Sequence, residues 1–113
     1  MKLDETKKLL SYDLNGSDPR SVLIDVLRAS IELLSIEEND FAWSSWKNAA
    51  EAVAEVKSIL AVIEAGGIPE RLALSVLFAP TGPMQEVSIS SGWSDIFLKV
   101  AELYDYAEKR LWV

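Results

Sequence analysis

The chain has 113 residues, with no cysteine and no histidine, and sets 18 acidic side chains against 11 basic ones for a net charge of −7. Without thiolate or imidazole, disulfides, zinc-finger sites and most hydrolytic triads and zinc sites are excluded, and the side chain best poised for proton transfer near neutral pH is missing. The acidic balance, with a pI near 4.5, repels phosphate backbones and anionic lipid head groups, so neither nucleic acid nor a membrane is expected as a partner.

One domain over residues 1–113 is expected, large enough to fold on its own core without a metal or other cofactor. MKLDETKKLL contains no apolar run of signal-peptide length, and no segment reaches the roughly 18 consecutive apolar residues of a membrane helix. A cytoplasmic protein is the expectation. The mean hydropathy of +0.13 suggests apolar surface kept for another protein or a second copy of the chain.

Taken in order, residues 3–14 give two patterns. Leu3, Leu9 and Leu10 fit a short N-terminal helix, whereas Leu10, Tyr12 and Leu14 alternate as a strand would; the helix is preferred. Asn15-Gly16-Ser17-Asp18-Pro19 is a turn leading into a helix, with Ser17 or Asp18 as cap and Pro19 where its missing N–H costs nothing. A helix over about 19–35 follows. Its apolar stripe is so wide that only Arg20, Asp25, Arg28 and Glu32 are left to face water, which predicts burial on more than one side.

A helix over about 40–65 is predicted next, capped by Asn39 or Asp40 and stopped by Gly66-Gly67 and Pro69. Ala42, Trp46, Ala49, Val53, Val56, Leu60 and Ile63 recur in steps of four and three along one face, and the rest of the chain is expected to pack on it. Beyond the glycines the apolar residues alternate. Leu72, Leu74, Val76 and Phe78, then Val87 and Ile89, predict a β-hairpin with strands near 71–78 and 84–90 and a turn near 79–83. The rival reading of the first strand is a helix begun by Pro69-Glu70. Ser94 starts a last helix over about 94–110, with Trp93 and Leu98 at the spacing of a hydrophobic staple and Asp95, Lys109 and Arg110 matching the helix dipole. The predicted fold class is therefore α+β, mostly helical, with three main helices and a hairpin.

No motif for a catalytic, cofactor-binding or metal site emerges, and no enzymatic activity is expected. FAPTGPMQEVSISSG lacks the glycine pattern and Lys-Ser or Lys-Thr ending of a phosphate-binding loop. Carboxylates abound, at Glu37, Glu38 and Asp40, at Glu51 and Glu55, and along the last helix, but as solvated faces. The first of these groups stands out because Trp43 is close by, and tryptophan is the side chain most enriched at binding hot spots. Glu37, Glu38, Asp40 and Trp43 are the candidate partner-binding residues. The function this suggests is a small acidic domain that binds a basic protein, such as an immunity-type inhibitor of a toxin or nuclease whose phosphate site it mimics. The alternative is a structural or accessory subunit of a homo-oligomer or larger assembly, without activity of its own.

Overall fold

Pro19 opens the helix on which the molecule is built. The computed structural model describes residues 3–12 and 16–112, and among them the elements are α1 (Asp4–Leu10), α2 (Pro19–Leu34), α3 (Ala49–Glu64), α4 (Arg71–Leu77), α5 (Pro83–Ser91) and α6 (Ser94–Leu111), with no strand. The short N-terminal helix is present as α1; Asp13, Leu14 and Asn15, which carry part of the strand alternative and of the turn, lie outside the described residues.

α1, α3 and α6 all pack on α2, so the organising role expected of the helix after Asn39 belongs to α2 instead. Leu23, Leu27, Leu33 and Leu34 are fully buried, each contributing about 2 kcal/mol by removal from water. Asp18 caps this helix, its carboxylate accepting from the Ser21 amide at 3.1 Å and the Ser21 hydroxyl at 2.9 Å.

Three of the four polar residues expected to face water from α2 are recruited by its neighbours. Glu32 accepts from the Glu5 and Thr6 amides at 2.9 and 2.8 Å and from the Thr6 hydroxyl at 3.0 Å, capping α1 from another helix. Arg20 donates to the carbonyls of Ile63 at 3.0 Å and Gly67 at 3.2 Å, satisfying the C-terminal end of α3. Asp25 is buried and takes a 2.7 Å hydrogen bond from the Tyr12 hydroxyl and a 3.4 Å contact from Lys8. Only Arg28 lies out at the surface, paired with Glu64 at 2.8 Å.

The hairpin expected at 71–90 does not form; both segments are helical, and the fold is all-α over the described residues rather than α+β. In α4 the buried residues are Leu74 and Leu77, followed by Phe78 at its end, a three-and-one step that fits a helix. The alternation is coincidental, since Leu72 and Val76 face outward, one turn apart. In α5 the buried set is Met84, Val87 and Ser88. A strand would put Ser88 on its polar face, but the Ser88 hydroxyl donates to the Gln85 carbonyl at 2.8 Å, so it can be buried inside a helix without an unpaired group. Pro83 is pre-set for the first turn, and Gly92, at φ 87°, ends the helix in the left-handed conformation.

The helix predicted over 40–65 is shorter. It begins at Ala49, where the Asn48 side chain accepts from the Glu51 amide at 2.9 Å. Upstream, short polar side chains compete for the backbone. Asp40 accepts from the Ala42 amide at 2.9 Å, and the Ser44 hydroxyl donates to the Phe41 carbonyl at 3.1 Å and accepts from the Trp46 amide at 3.2 Å. Ala42, expected on the inner stripe, is exposed, and Val53 is only half-buried beside a fully buried Ala52.

α6 follows its predicted bounds and buries Phe97, Val100, Leu103, Tyr104 and Ala107. The staple is not made. Leu98 is 59 % exposed, and Trp93 is buried against the α2–α3 connection instead.

Two phenols, Tyr104 buried and Tyr12 half-buried, give the fold a pH signature. Burial, reinforced by Asp25, pushes Tyr12 up to about 12 from an ordinary value of 10; burial likewise pushes Tyr104 up to about 12, its hydroxyl donating to Glu108 at 2.9 Å. Between those values the unfolded chain gives up phenolic protons that the folded chain keeps, so the tyrosines' contribution is intact below pH 10 and is lost as pH rises toward 12. Urea titrations should show stability falling across this interval, with a shallower fall in Tyr12→Phe. A stability independent of pH there would contradict the surroundings assigned to the two hydroxyls.

Candidate functional site

The proposed partner-binding residues lie on the connection between α2 and α3, residues 36–48. Their neighbours are pinned to the body of the protein. Asn39 donates from its amide to the Leu33 carbonyl at 2.7 Å and accepts from the Trp93 indole at 2.8 Å. The Asp40 amide meets the Ser91 hydroxyl at 2.9 Å. At the far end Trp46 is 4 % exposed, its indole N–H directed at Glu55 Oε1, 3.4 Å away.

Around these anchors other side chains turn outward. Glu37, Glu38 and Asp40 are exposed, and Trp43 is 75 % exposed, the most open of the large apolar side chains described. Trp43 and Trp46, expected one turn apart on one helix with Trp46 on its inner face and Trp43 at the flank, lie instead on a folded loop, where Trp46 is the anchor and Trp43 is presented to solvent. Asp40, a candidate helix cap, instead stabilises a turn within the loop through Ala42. The four residues thus share one short stretch of backbone, residues 37–43, built of turns. Sequence reasoning does not reach Asn39, Ser91 and Trp93 as the residues that hold that span in place. The one local signal is the density of Asn, Asp and Ser from 39 to 48, which favours turns over helix.

Other carboxylates act on structure. Burial opposes ionisation of Glu108, but hydrogen bonds from Tyr104 at 2.9 Å and Ser75 at 3.0 Å, with Arg71 at 3.6 Å, outweigh it and hold the carboxyl below its usual range. These contacts tie α4 to α6. Asp105, one turn back, is shifted the other way, raised by burial and by the charge of Glu108. Asp25 lies beside a polar cleft of about 430 Å³ lined also by Lys8, Tyr12 and Arg28, and its oxygens are already engaged by Lys8 and Tyr12.

Among the described residues no group of three or more carboxylates is placed to hold a metal ion, and no helix is long and apolar enough to cross a membrane. No protein-family model, curated protein or solved structure matches this chain.

Proposed function

We propose that this chain is a small acidic protein-binding domain that covers a basic site on another protein, in the manner of an immunity-type inhibitor of a toxin or nuclease. The supporting observation is Trp43, 75 % exposed on a loop whose flanking residues are fixed by hydrogen bonds to α2 and to the α5–α6 junction. Exposing so large an apolar side chain is unfavourable, and a rigid loop offers it with little ordering entropy left to lose on binding. Glu37, Glu38 and Asp40 supply charge on the same loop. In this reading they steer encounter with a basic surface, and the indole holds the complex together.

The test starts from a partner captured at low salt from host extract. Glu37→Gln, Glu38→Gln and Asp40→Asn combined should slow association and flatten its salt dependence. The fold should survive, because the asparagine side-chain carbonyl preserves the acceptor that Asp40 offers to the Ala42 amide. Trp43→Ala should leave association nearly unchanged and speed dissociation by about thirtyfold, the effect of losing a hot-spot tryptophan. An unchanged association rate for the folded neutral variant at low salt would remove the electrostatic half of the proposal.

The second reading, an accessory subunit of an assembly, draws on a different observation. Leu72, Val76, Ile68, Ile89 and Leu98 are each more than half exposed, and such surface is commonly covered in an assembled state. A mass that rises with concentration would favour it.

A further inference from the structure

We propose that the groove between α3 and α4 is a docking site for an amphipathic helix of another protein, one whose apolar face is flanked by lysine or arginine. The groove encloses about 460 Å³, with Ile59 on one side and Leu72, Ala73 and Val76 on the other. Leu72 is 66 % exposed and Val76 is 53 % exposed. Four residues apart, they lie one turn from each other on the exposed side of α4, a ridge against which a third helix could set a row of side chains at steps of three and four.

Both walls are held in place before any partner arrives. α3 is rooted through Val56, Leu60 and Ile63 in the core, and α4 through Leu74 and Leu77 and through the Ser75–Glu108 hydrogen bond at 3.0 Å.

Charge selects the occupant. The polar groups that line it are Glu55 and Ser58 on α3 and Glu70 at the start of α4, and among the described residues no lysine or arginine lines the groove. Arg71, next to Glu70 in sequence, contacts Glu108 at 3.6 Å instead. A second copy docked through the same patch would bring two acidic rims together on chains of net charge −7 each, an arrangement that costs attraction where a basic helix gains it. This surface is distinct from the Trp43 loop; Glu55, which lines the groove, also accepts from the Trp46 indole N–H at 3.4 Å.

The experiment uses the full chain and a synthetic helical peptide of about 18 residues, five turns long, with leucines repeating at steps of three and four and lysines elsewhere. A control peptide has the same composition in an order that destroys the apolar face. Calorimetry should show the patterned peptide binding about tenfold more tightly than the control, as expected when apolar area is buried in addition to charge pairing. Amide chemical shifts should move around Ile59, Leu72, Ala73 and Val76. Leu72→Ser with Val76→Ser should reduce affinity by about tenfold or more, both side chains being exposed enough for the fold to survive. Should that variant melt early, Glu55→Gln with Glu70→Gln supplies the second arm and should weaken binding and flatten its salt dependence. Equal binding of the two peptides, full affinity in the folded serine variant, or shift changes confined to the Trp43 loop would overturn the proposal. So would a peptide-free dimer that Leu72→Ser dissociates, since the occupant would then be a second copy.

Discussion

Gly82→Ala should destabilise the protein by about 3 kcal/mol, at the upper end of what overpacking costs, and lower its melting temperature by roughly 12 °C. The reason is space. Gly82 has an ordinary negative φ of −84°, so handedness of the backbone is not at issue. A Cβ at this position would penetrate the carbonyl oxygen of Val76 and crowd those of Ala79 and Leu77 at 3.2 and 3.3 Å. All three are backbone atoms at the end of α4, one of them accepting the Gly82 amide at 2.9 Å, so they cannot swing aside as a side-chain tip would. The α4–α5 turn would have to open. Gly92→Ala is the comparison: its φ of 87° strains an alanine, but nothing lies within 4 Å, and the cost should be about 1 kcal/mol. Calorimetric scans of both variants decide the matter, and a Gly82→Ala protein melting no lower than Gly92→Ala would show that the turn is not so closely packed.

The second large effect is at Asn39. Asn39→Ala removes both partners of a bridge at once: the Leu33 carbonyl loses a donor at 2.7 Å, and the Trp93 indole N–H loses its acceptor at 2.8 Å. Trp93 is 6 % exposed, so its N–H would be left in a largely dry setting, and the loss should come to about 2 kcal/mol. Most of that penalty belongs to the stranded donor. Trp93→Phe in the Asn39→Ala background should therefore cost less than Trp93→Phe alone, and chemical denaturation of the two single variants and the double gives the coupling directly. Strict additivity would mean that the 2.8 Å contact contributes nothing. Because Asn39 also begins the loop that carries Trp43, the same variant should exchange its amides faster across residues 40–46 than the parent does.

How far the sequence discloses this molecule depends on which interactions set each segment. Local signals are sufficient for α2 and α6. Pro19 behind a capping Asp18 and a long apolar stripe mark the first, and dipole-matched charges with a regular inner face mark the second. Alternation misleads between 71 and 90, because a seven- or nine-residue helix shows too few turns for its period to be distinguished from that of a strand, and because the burial of Ser88 depends on a hydroxyl bond that a hydropathy pattern does not register. The start of α3 is misjudged for a related reason. Trp46 does enter the core, as its spacing suggests, but from a loop in which Asp40 and Ser44 have already claimed the backbone. At the candidate site, the pairing of acids with Trp43 can be read from proximity along the chain. Its restraint by Ser91 and Trp93, more than fifty residues away, is tertiary and leaves no mark on the local pattern.

The central position of α2 also bears on how the chain acquires its shape as it is made. One side of α2 can be covered early, by α1 before it and α3 shortly after, but α6 also packs against it and is separated by about sixty residues of chain. Closing so long a loop costs entropy before any contact repays it. Until α6 is synthesised, the nascent chain therefore holds a leucine-rich helix with a bare flank. That flank is an opening for chaperones, for misassociation between neighbouring nascent chains, or for early capture by a partner, and fragments ending after α3 should be aggregation-prone for the same reason.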